Sequence, residues 1–343
     1  MQSNKPRLPH LKDLTTDNIT DNVNTVNALN HDNARFRYVL ERLVTHLHDF
    51  SRETRLSTKE WMVGLQFLTT AGQVGINGPS EFHLLSSILG LSLLVDAMDH
   101  PKPATATEGT LLGPFHTDDA EHLQNGALIS QDTAGEPLLV VCAIKDTSGK
   151  PISGVDVDIW ETDSTGHYDV QYANRSGPDG RCVMTSDAEG KFWFKGIVPV
   201  SYPIPHDGPV GQLLKSLGRH PWRPAHMHFT FEKAGWDKLV TALFMRGDQY
   251  ETSDVVFGVK DSLIVNLEEI TDKSVDPETG DSLSSRYGVS SGTKLLRYDF
   301  VLVSEEQSLS LRNDQSREAL ERLGRKVRVV DGLPVPDVDS SRE

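Results

Sequence analysis

The segment His226–Phe231 reads HMHFTF, and its mixture of aromatic and β-branched residues predicts a short β-strand. Side chains two apart on a strand lie on the same face, so His226 and His228 would project together while Met227 faces the other way. Two imidazoles on one face of a sheet are a common way to present metal ligands. Cross-strand packing or surface exposure would use the same pattern, so the pair alone leaves both interpretations open.

Other short segments with period-two patterning flank this one. Turn sequences separate them, among them Ser148–Pro151, Pro178–Gly180 and Ala188–Gly190. Many short strands joined by such turns predict a β-sandwich. The other predicted strands are Leu138–Ile144, Val155–Trp160, Arg181–Ser186, Phe192–Ile197, Leu239–Met245, Leu263–Leu267 and Leu296–Val303.

The first hundred or so residues show helical periodicity instead. Ser57 and Glu60 form a capping box at the start of one helix, and a further helix is predicted from Pro79–Glu81 through Val95. We therefore expect a mainly β protein with an α-helical N-terminal region, in which a β-sandwich core is joined to a helical dimerisation segment. The predicted divisions are a helical region of residues 1–105, a β-sandwich domain of residues 106–320 and a C-terminal tail of residues 321–343.

Two stretches fall outside the predicted elements. Asp272–Lys294 is polar and is expected to form a surface loop. The tail from Asp331 is rich in proline, aspartate and serine, and it is expected to be poorly ordered.

Composition excludes several classes of partner. The 343-residue chain carries a net charge of −15 at pH 7, and an acidic surface repels phosphate, so neither nucleic acid nor an anionic membrane is expected to bind. Cys142 and Cys182 lie in apolar runs and are expected to be buried thiols. Polar residues interrupt the apolar stretch Phe82–Met98, and Met1–Pro9 lacks the apolar core of a signal peptide. We therefore expect a cytoplasmic protein.

Two tyrosines and one arginine stand out by their surroundings. Tyr202 begins YPIPHDGP, a proline-rich segment stiff enough to hold a phenol in place. Tyr168 follows a predicted strand at a turn, where functional side chains often lie. Arg223 lies just before the two histidines, where it is placed to stabilise negative charge on a bound substrate. Taken singly, each is better explained as a packed tyrosine or as half of a salt bridge.

Taken together, the segments that carry these residues resemble the intradiol ring-cleavage dioxygenases, the family of catechol and hydroxyquinol 1,2-dioxygenases. The resemblance extends from about Ser80 to Leu267, with a looser match in the N-terminal helices. Its specific strings, in chain order, are Gly154–Trp160 leading to Tyr168, Tyr202–Pro205, Asp207–Gly211, Gly218–His228 and Gly247–Val259.

The resemblance implies that Tyr168, Tyr202, His226 and His228 bind one iron(III). The ligand types agree, because phenolate is a hard anionic donor that favours the ferric state, whereas ferrous oxygenases use two histidines and a carboxylate. The implied reaction opens an aromatic 1,2-diol with O2 between its two hydroxyl-bearing carbons. In it Tyr202 would leave the metal and take a substrate proton, and Arg223 would stabilise negative charge on the ring.

Within the family, Thr110–His116 and Leu91–Ala97 are similar to the hydroxyquinol 1,2-dioxygenases. Hydroxyquinol, opened to 3-hydroxy-cis,cis-muconate or maleylacetate, is therefore the first expected substrate, and catechol or a substituted catechol is the second. By this similarity the substrate pocket is lined by Leu93, Asp96, Leu111, Leu112, Gly113, Pro114, Phe115, Ile204, Pro205, Arg223 and Val256.

Two positions bear on the choice between these diols. Asp96 would accept a hydrogen bond from a third ring hydroxyl, although a capped or salt-bridged acid near a helix end is an equal alternative. Ala242 stands where catechol-cleaving members typically carry glutamine, and this weakens the case for catechol.

The resemblance also bears on how the chain assembles. In relatives the helical N-terminal region forms a dimer interface and can hold a lipid; we expect the homodimer here, whereas a lipid does not follow from the sequence.

The competing interpretation is a non-catalytic, transthyretin-like β-sandwich binding module, which Asp146–Val155 and Ser186–Phe192 would also suit. Fold similarity alone does not separate the classes, but a binding module has no need for paired tyrosines and histidines.

Overall fold

The computed structural model of the 343-residue chain describes residues 11–28, 33–74, 80–175, 177–324, 327–330 and 332–336. The chain divides into two compact units. Residues 1–69 and 309–343 form the smaller unit, and residues 70–308 form the larger one.

Two β-sheets and a small strand pair build the larger unit. Its strands are β1 (Pro137–Asp146), β2 (Asp156–Trp160), β3 (Arg181–Thr185), β4 (Lys191–Ile197), β5 (Tyr202–Pro203), β6 (Trp222–Arg223), β7 (His226–Glu232), β8 (Leu239–Met245), β9 (Ile264–Val265), β10 (Glu268–Glu269) and β11 (Lys294–Leu302). The four-stranded sheet has the order β10-β11-β1-β4, and the five-stranded sheet has the order β3-β2-β7-β8-β9. Strands β5 and β6 pair with each other.

The two sheets share one hydrophobic core. Val140 and Phe194 from the four-stranded sheet lie in it with Ile159 and Phe229 from the five-stranded sheet, and all four side chains are fully buried. Removing such apolar surface from water contributes about 25 cal/mol per Å² to stability. The predicted β-sandwich is therefore confirmed. The cysteines Cys142 and Cys182 lie in the same core as free, buried thiols, as expected.

Strand β7 is the middle strand of the five-stranded sheet and sets the position of the histidine pair. Met227 and Phe229 point into the core, so the alternation of a strand places His226 and His228 on the opposite face. Both histidines are nevertheless only 1% exposed, because other segments cover that face. The strand and the shared face follow the prediction from HMHFTF.

Eight α-helices lie within the described residues. They are α1 (Ile19–Ala28), α2 (Ala34–Glu53), α3 (Thr58–Val74), α4 (Glu81–Ile88), α5 (Leu91–Asp99), α6 (Pro209–Ser216), α7 (Leu283–Tyr287) and α8 (Glu305–Arg322). The predicted capping box of α3 is present: the Ser57 backbone N–H donates to Glu60 Oε2 at 2.9 Å, and the Glu60 N–H donates to Ser57 Oγ at 3.3 Å. The sequence analysis did not predict α6 or α8.

The single helix predicted from residues 79–81 through Val95 is wrong. The structure has two helices there, α4 and α5, bent by 79° at a break that contains Gly90. Gly90 has φ +75°, a left-handed conformation that glycine adopts without the penalty that a side chain brings. Among the described residues no single helix is long and apolar enough to cross a bilayer, and α4 and α5 reach that length only together, across the bend.

The two stretches predicted to lack regular structure both contain some. Helix α7 lies within Asp272–Lys294 and buries Leu283 and Tyr287, because these side chains pack beside the outer face of β1 and β11. In the smaller unit, strand β12 (Val327–Val330) pairs antiparallel with β13 (Leu333–Pro336). The prediction of a poorly ordered tail is therefore wrong for residues 333–336, and residues 337–343 lie outside the described residues.

Candidate active site

Four donor atoms from three parts of the chain meet on the outer face of the five-stranded sheet. The Nε2 atoms of His226 and His228 are 3.0 Å apart, and Tyr168 Oη lies 3.5 Å from His226 Nε2 and 3.4 Å from Tyr202 Oη. Donors held tetrahedrally at about 2.0–2.1 Å from one ion are separated by about 3.3 Å. The observed spacing therefore fits one metal ion between two imidazoles and two phenols.

The two tyrosines reach this point from loops beside the sheet. Tyr168 lies in the turn after β2, where its backbone N–H donates to Gln171 Oε1 at 2.8 Å. Tyr202 begins β5, and its register partner in β6 is Arg223. Phe115 stacks on Tyr168 with a centroid distance of 4.7 Å and meets Tyr202 edge-on at 6.2 Å. Both phenols are therefore held by aromatic packing as well as by the backbone.

The environment of the histidines suits metal binding. Burial lowers the pKa of both rings well below the usual value, and the charge of Arg223 adds to the effect, so the rings are neutral and keep a lone pair. His226 Nδ1 lies 2.7 Å from the Pro224 carbonyl oxygen. A proton on Nδ1 donates to that carbonyl, which leaves Nε2 free to bind a cation.

The phenols also require a cation if they are to ionise. Burial raises the pKa of Tyr168 well above its usual value, and the neighbouring Tyr202 phenol raises it further. A bound cation reverses this effect, because it stabilises the phenolate by the same attraction that acidifies metal-bound water. Two neutral imidazoles and two ionisable phenols are a hard, anionic donor set, which fits ferric iron.

Arg223 extends the site on one side of the donors. Its Nη1 lies 3.1 Å from His226 Nε2 and 3.5 Å from Tyr202 Oη. Its Nε lies 3.2 Å from Asp254 Oδ1, and both side chains are buried. Burial alone would lower the pKa of Arg223, but the attraction of Asp254 and of the Tyr202 phenol raises it, so the guanidinium stays charged.

The segment that contains the predicted pocket loop covers the histidines. Thr110 Oγ1 donates to the Gly258 carbonyl at 2.7 Å, and Leu111 and Phe115 are buried. Gly113 has φ +75°, and a Cβ atom at this position would lie 3.6 Å from His228 Nε2. A methyl group at position 113 would therefore touch His228, and the positive φ is what favours glycine there.

Asp96 lies close to the segment that covers His228. Its Oδ2 would lie 3.2 Å from a Cβ atom at Gly109, four residues before Gly113. Four extended residues span at most about 14 Å, so Asp96 lies near the covering segment. Burial raises the pKa of Asp96, although the nearby His100 and Lys260 oppose the shift.

The remaining predicted pocket residues lie at different depths. Ile204 and Val256 are buried, whereas Leu112 is 37% exposed. Ile204 is tied to the Pro221 carbonyl through its backbone N–H at 2.9 Å, and the Val256 N–H donates to Asp254 Oδ1 at 3.3 Å. Leu93, Gly113, Pro114 and Pro205 are half-buried.

Sequence reasoning missed three groups that hold the site together. Asp254 pairs with Arg223, and Trp160 stacks on His228 with a centroid distance of 4.8 Å. Asp169, next to Tyr168, accepts from Arg181 Nε at 2.9 Å, and Arg181 Nη2 donates to the Phe115 carbonyl at 3.1 Å. Asp254 and Trp160 both lie in strings that carry the family resemblance, and this was the available signal.

Comparison with known proteins agrees with this geometry. Residues 111–304 match the family model described as "Dioxygenase", and residues 33–107 match the one described as "Catechol dioxygenase N terminus". The chain is 64% identical over 339 residues to an intradiol ring-cleavage dioxygenase, hqdA, of Aspergillus niger, a match that covers 99% of this chain and 100% of that one. The chain belongs to the intradiol ring-cleavage dioxygenases.

Two further relatives of this intradiol dioxygenase carry names that specify a substrate. A 6-chlorohydroxyquinol 1,2-dioxygenase of Cupriavidus pinatubonensis is 45% identical over 79% of this chain and 91% of its own. The solved structure of a hydroxyquinol 1,2-dioxygenase from Pseudomonas putida superposes with a TM-score of 0.76 at 38% identity, over 84% of this chain and 99% of that chain. Intradiol dioxygenases use non-haem iron. Membership of the family removes the non-catalytic binding module from consideration.

Proposed function

We propose that this intradiol dioxygenase opens hydroxyquinol with O2 between its adjacent hydroxyl-bearing carbons, giving 3-hydroxy-cis,cis-muconate or maleylacetate. The observation that carries the proposal is the cluster of two imidazoles and two phenols, in which each donor atom lies 3.0–3.5 Å from at least one other. Two relatives whose names specify hydroxyquinol or its chloro derivative support the choice of substrate.

In this proposal Tyr168, Tyr202, His226 and His228 hold one iron(III). When bound, the ferric ion withdraws electron density from the diol and so opens the ring to attack by O2. The rings of the histidines are neutral because burial lowers their pKa, so they donate without first losing a proton. The two phenolates supply the negative charge that the ion requires.

Tyr202 and Arg223 act directly on the substrate. As a phenolate, Tyr202 would take a proton from a diol hydroxyl, which is general-base catalysis at short range. Arg223 Nη1 lies 3.5 Å from Tyr202 Oη, so its charge faces the same space and stabilises negative charge that develops on the diol. Because Asp254 holds the other side of the guanidinium, this charge is already oriented before the substrate arrives.

Asp96 selects for the third hydroxyl group. Its half-buried carboxylate lies against Gly109, at the start of the segment that covers His228. A buried acceptor that catechol leaves without a donor disfavours catechol, whereas hydroxyquinol satisfies it. Ala242, the register partner of His228 on β8, has no hydrogen-bonding group in its side chain.

We further propose a homodimer through the N-terminal helices. Helix α2 presents an apolar stripe in which Phe36, Val39, Leu43, Leu47 and Phe50 are each 45–55% exposed. Side chains at this spacing lie on one face of a helix, and an exposed apolar face of this length is typical of a surface that a partner covers.

A spectroscopic titration tests the function. Iron-loaded protein is mixed without oxygen with hydroxyquinol or with catechol, the visible phenolate-to-iron band is recorded, and oxygen is then admitted. We expect both diols to shift the band, hydroxyquinol to be turned over with the higher kcat/KM, and the product to be cleaved between the hydroxyl-bearing carbons. A product cleaved outside that pair, or iron-loaded protein that leaves both diols intact, would overturn the proposal. Faster turnover of catechol would overturn the choice of hydroxyquinol alone.

A further inference from the structure

The two histidines of the donor cluster are held in different ways. His226 Nδ1 has a carbonyl acceptor, Pro224 O, at 2.7 Å. His228 Nδ1 is fully buried and has no hydrogen-bond partner among the described residues. This difference is unusual, because a histidine that binds a metal almost always donates its other N–H to an acceptor, which fixes the ring and makes it a stronger donor.

The neighbours of His228 explain how its ring is oriented without that bond. Trp160 is its register partner on β2, and the indole lies parallel to the imidazole at 4.8 Å with an interplanar angle of 7°. On the other side, the register partner on β8 is Ala242, whose methyl group cannot accept a hydrogen bond. His228 therefore lies between an aromatic plane and an apolar group.

The indole is itself fixed in place. Trp160 is 1% exposed, and the His116 ring meets it edge-on at 4.9 Å. His116 Nε2 in turn lies 2.8 Å from Asp158 Oδ2. The stacking surface offered to His228 is thus rigid, and it restricts rotation of the imidazole as a hydrogen bond would.

We propose that Trp160 is a positioning residue that orients His228 by stacking, and that Ala242 keeps this imidazole the weaker of the two nitrogen donors. The inference rests on the proposed iron site. A histidine ring whose Nδ1–H donates to an acceptor gains electron density, and the His228 ring has no such acceptor. His228 therefore stabilises the ferric state less than His226 does. An acceptor introduced at position 242 should therefore lower the ferric/ferrous midpoint potential.

The isosteric pair Ala242→Thr and Ala242→Val tests the role of Ala242. Both variants add nearly the same volume to a filled position, but only the threonine hydroxyl can accept a hydrogen bond from the Nδ1–H of His228. The midpoint potential is measured by spectroelectrochemical titration of the iron-loaded proteins. We expect a lower potential in Ala242→Thr than in Ala242→Val; equal potentials would overturn this part of the inference. If neither branched variant folds, Ala242→Ser is compared with the wild-type chain under the same criterion.

The pair Trp160→Phe and Trp160→Leu tests the stacking. Phenylalanine keeps an aromatic plane and leucine removes it, so we expect iron to dissociate into a competing chelator about 10- to 100-fold more readily from Trp160→Leu, with a smaller change in Trp160→Phe. Circular dichroism of the iron-free proteins checks that both fold. Equal iron affinity in the leucine variant and the wild type would overturn the inference. If the leucine variant does not fold, the phenylalanine variant decides: a folded Trp160→Phe protein that has lost iron would also overturn it. Failure of the proposed function would look different, because the wild-type chain itself would not bind iron.

Discussion

Arg223 and Asp254 form a buried ion pair directly beside the donor cluster, with Arg223 Nε 3.2 Å from Asp254 Oδ1 and Nη2 3.3 Å from Oδ2. The same carboxylate accepts the backbone N–H of Gly258 at 2.9 Å, so Asp254 fixes both the guanidinium and the turn beside it. A Cβ atom at Gly258 would lie 3.0 Å from Arg223 Nη2, which shows how closely that turn encloses the arginine.

Replacing Asp254 by alanine should therefore cost both stability and activity. The variant leaves a buried guanidinium without its counter-charge, and we expect the free energy of unfolding to fall by about 3–5 kcal/mol. Urea denaturation of the iron-free protein measures this loss. An unchanged urea midpoint would contradict the prediction.

The double variant Arg223→Met with Asp254→Leu separates the two effects. Replacing both partners of a buried pair by apolar residues of similar size is often neutral for stability, so part of the loss should be recovered, although the Gly258 N–H still loses its acceptor. Turnover should remain low, since no charge faces the substrate. Recovery of kcat in the double variant would remove Arg223 from the mechanism.

Tyr202→Phe should retain iron but change its colour and slow turnover. The phenylalanine ring keeps the packing against Phe115 but provides neither a phenolate donor nor a base. Loss of a general base reduces the rate by about 10²- to 10⁴-fold. Iron content, the visible spectrum and kcat are compared with those of Tyr172→Phe, a change at a tyrosine that is 47% exposed. Wild-type kcat in Tyr202→Phe would exclude its role as a base.

Asp96→Asn should reduce discrimination between hydroxyquinol and catechol. Asparagine keeps a carbonyl acceptor but removes the charge, which weakens the hydrogen bond by about 1 kcal/mol, so the ratio of the two kcat/KM values should fall by about fivefold. The matched control is Asp99→Asn, because Asp99 is an exposed acid about one turn along the same helix. A ratio that falls equally in both variants would assign the effect to general electrostatics.

Gly113→Ala should disturb the metal site in addition to straining the backbone. Both Gly113 and Gly149 have positive φ, at +75° and +86°, so alanine at either position costs about 1–2 kcal/mol. Only at Gly113 would the new methyl group lie beside a donor atom, 3.6 Å from His228 Nε2, whereas no atom lies within 4 Å at Gly149. We expect both variants to melt earlier and only Gly113→Ala to lose iron or shift its visible band. Equal visible spectra in the two variants would show that a methyl group at position 113 does not disturb the metal site.

His100 gives the chain a pH-dependent contribution to stability. Its Nδ1 lies 3.5 Å from Asp237 Oδ1, and the interaction with Asp237 raises the pKa of His100 although partial burial opposes it. A pKa raised on folding stabilises the fold below the unfolded value of about 6.5, and the contribution is lost as the pH rises through the folded value. As the pH rises from about 6 to about 8.5, the free energy of unfolding measured in urea should therefore fall more in the wild type than in His100→Gln. The exposed His122→Gln variant serves as the control and should behave as the wild type does.

The parts of this fold that the sequence predicted are those with a short, strict period. HMHFTF predicted a strand and a shared face for His226 and His228 because the period of a strand is two, and β7 contains no bulge in its pairing with β2 and β8 that would change this alternation. The break between α4 and α5 was missed because apolar residues recur at helical spacing on both sides of it; Gly90 was the local signal of a bend.

Contacts between distant segments could not be predicted in the same way. No period in the sequence relates Asp254 to Arg223, which are 31 residues apart, or Arg181 to the Phe115 carbonyl, which are 66 apart. These pairs exist because folding brings segments that are distant in sequence into contact. The surroundings of Tyr168 and Tyr202 singled them out, but only similarity to a family made them candidate metal ligands, since an isolated tyrosine carries no pattern of its own.

Half of the donor cluster is anchored far more firmly than the other half. His226 and His228 belong to the central strand of a five-stranded sheet with a packed core behind it, whereas Tyr202 lies on a two-residue strand whose register partner is Arg223. In the proposed reaction, a diol that takes the place of Tyr202 would face two imidazoles carried by one central strand. Because Tyr202 and Arg223 are register partners on that short pair of strands, the proposed base and the positive charge beside it share one support, and a change in the backbone at either position would reach the other.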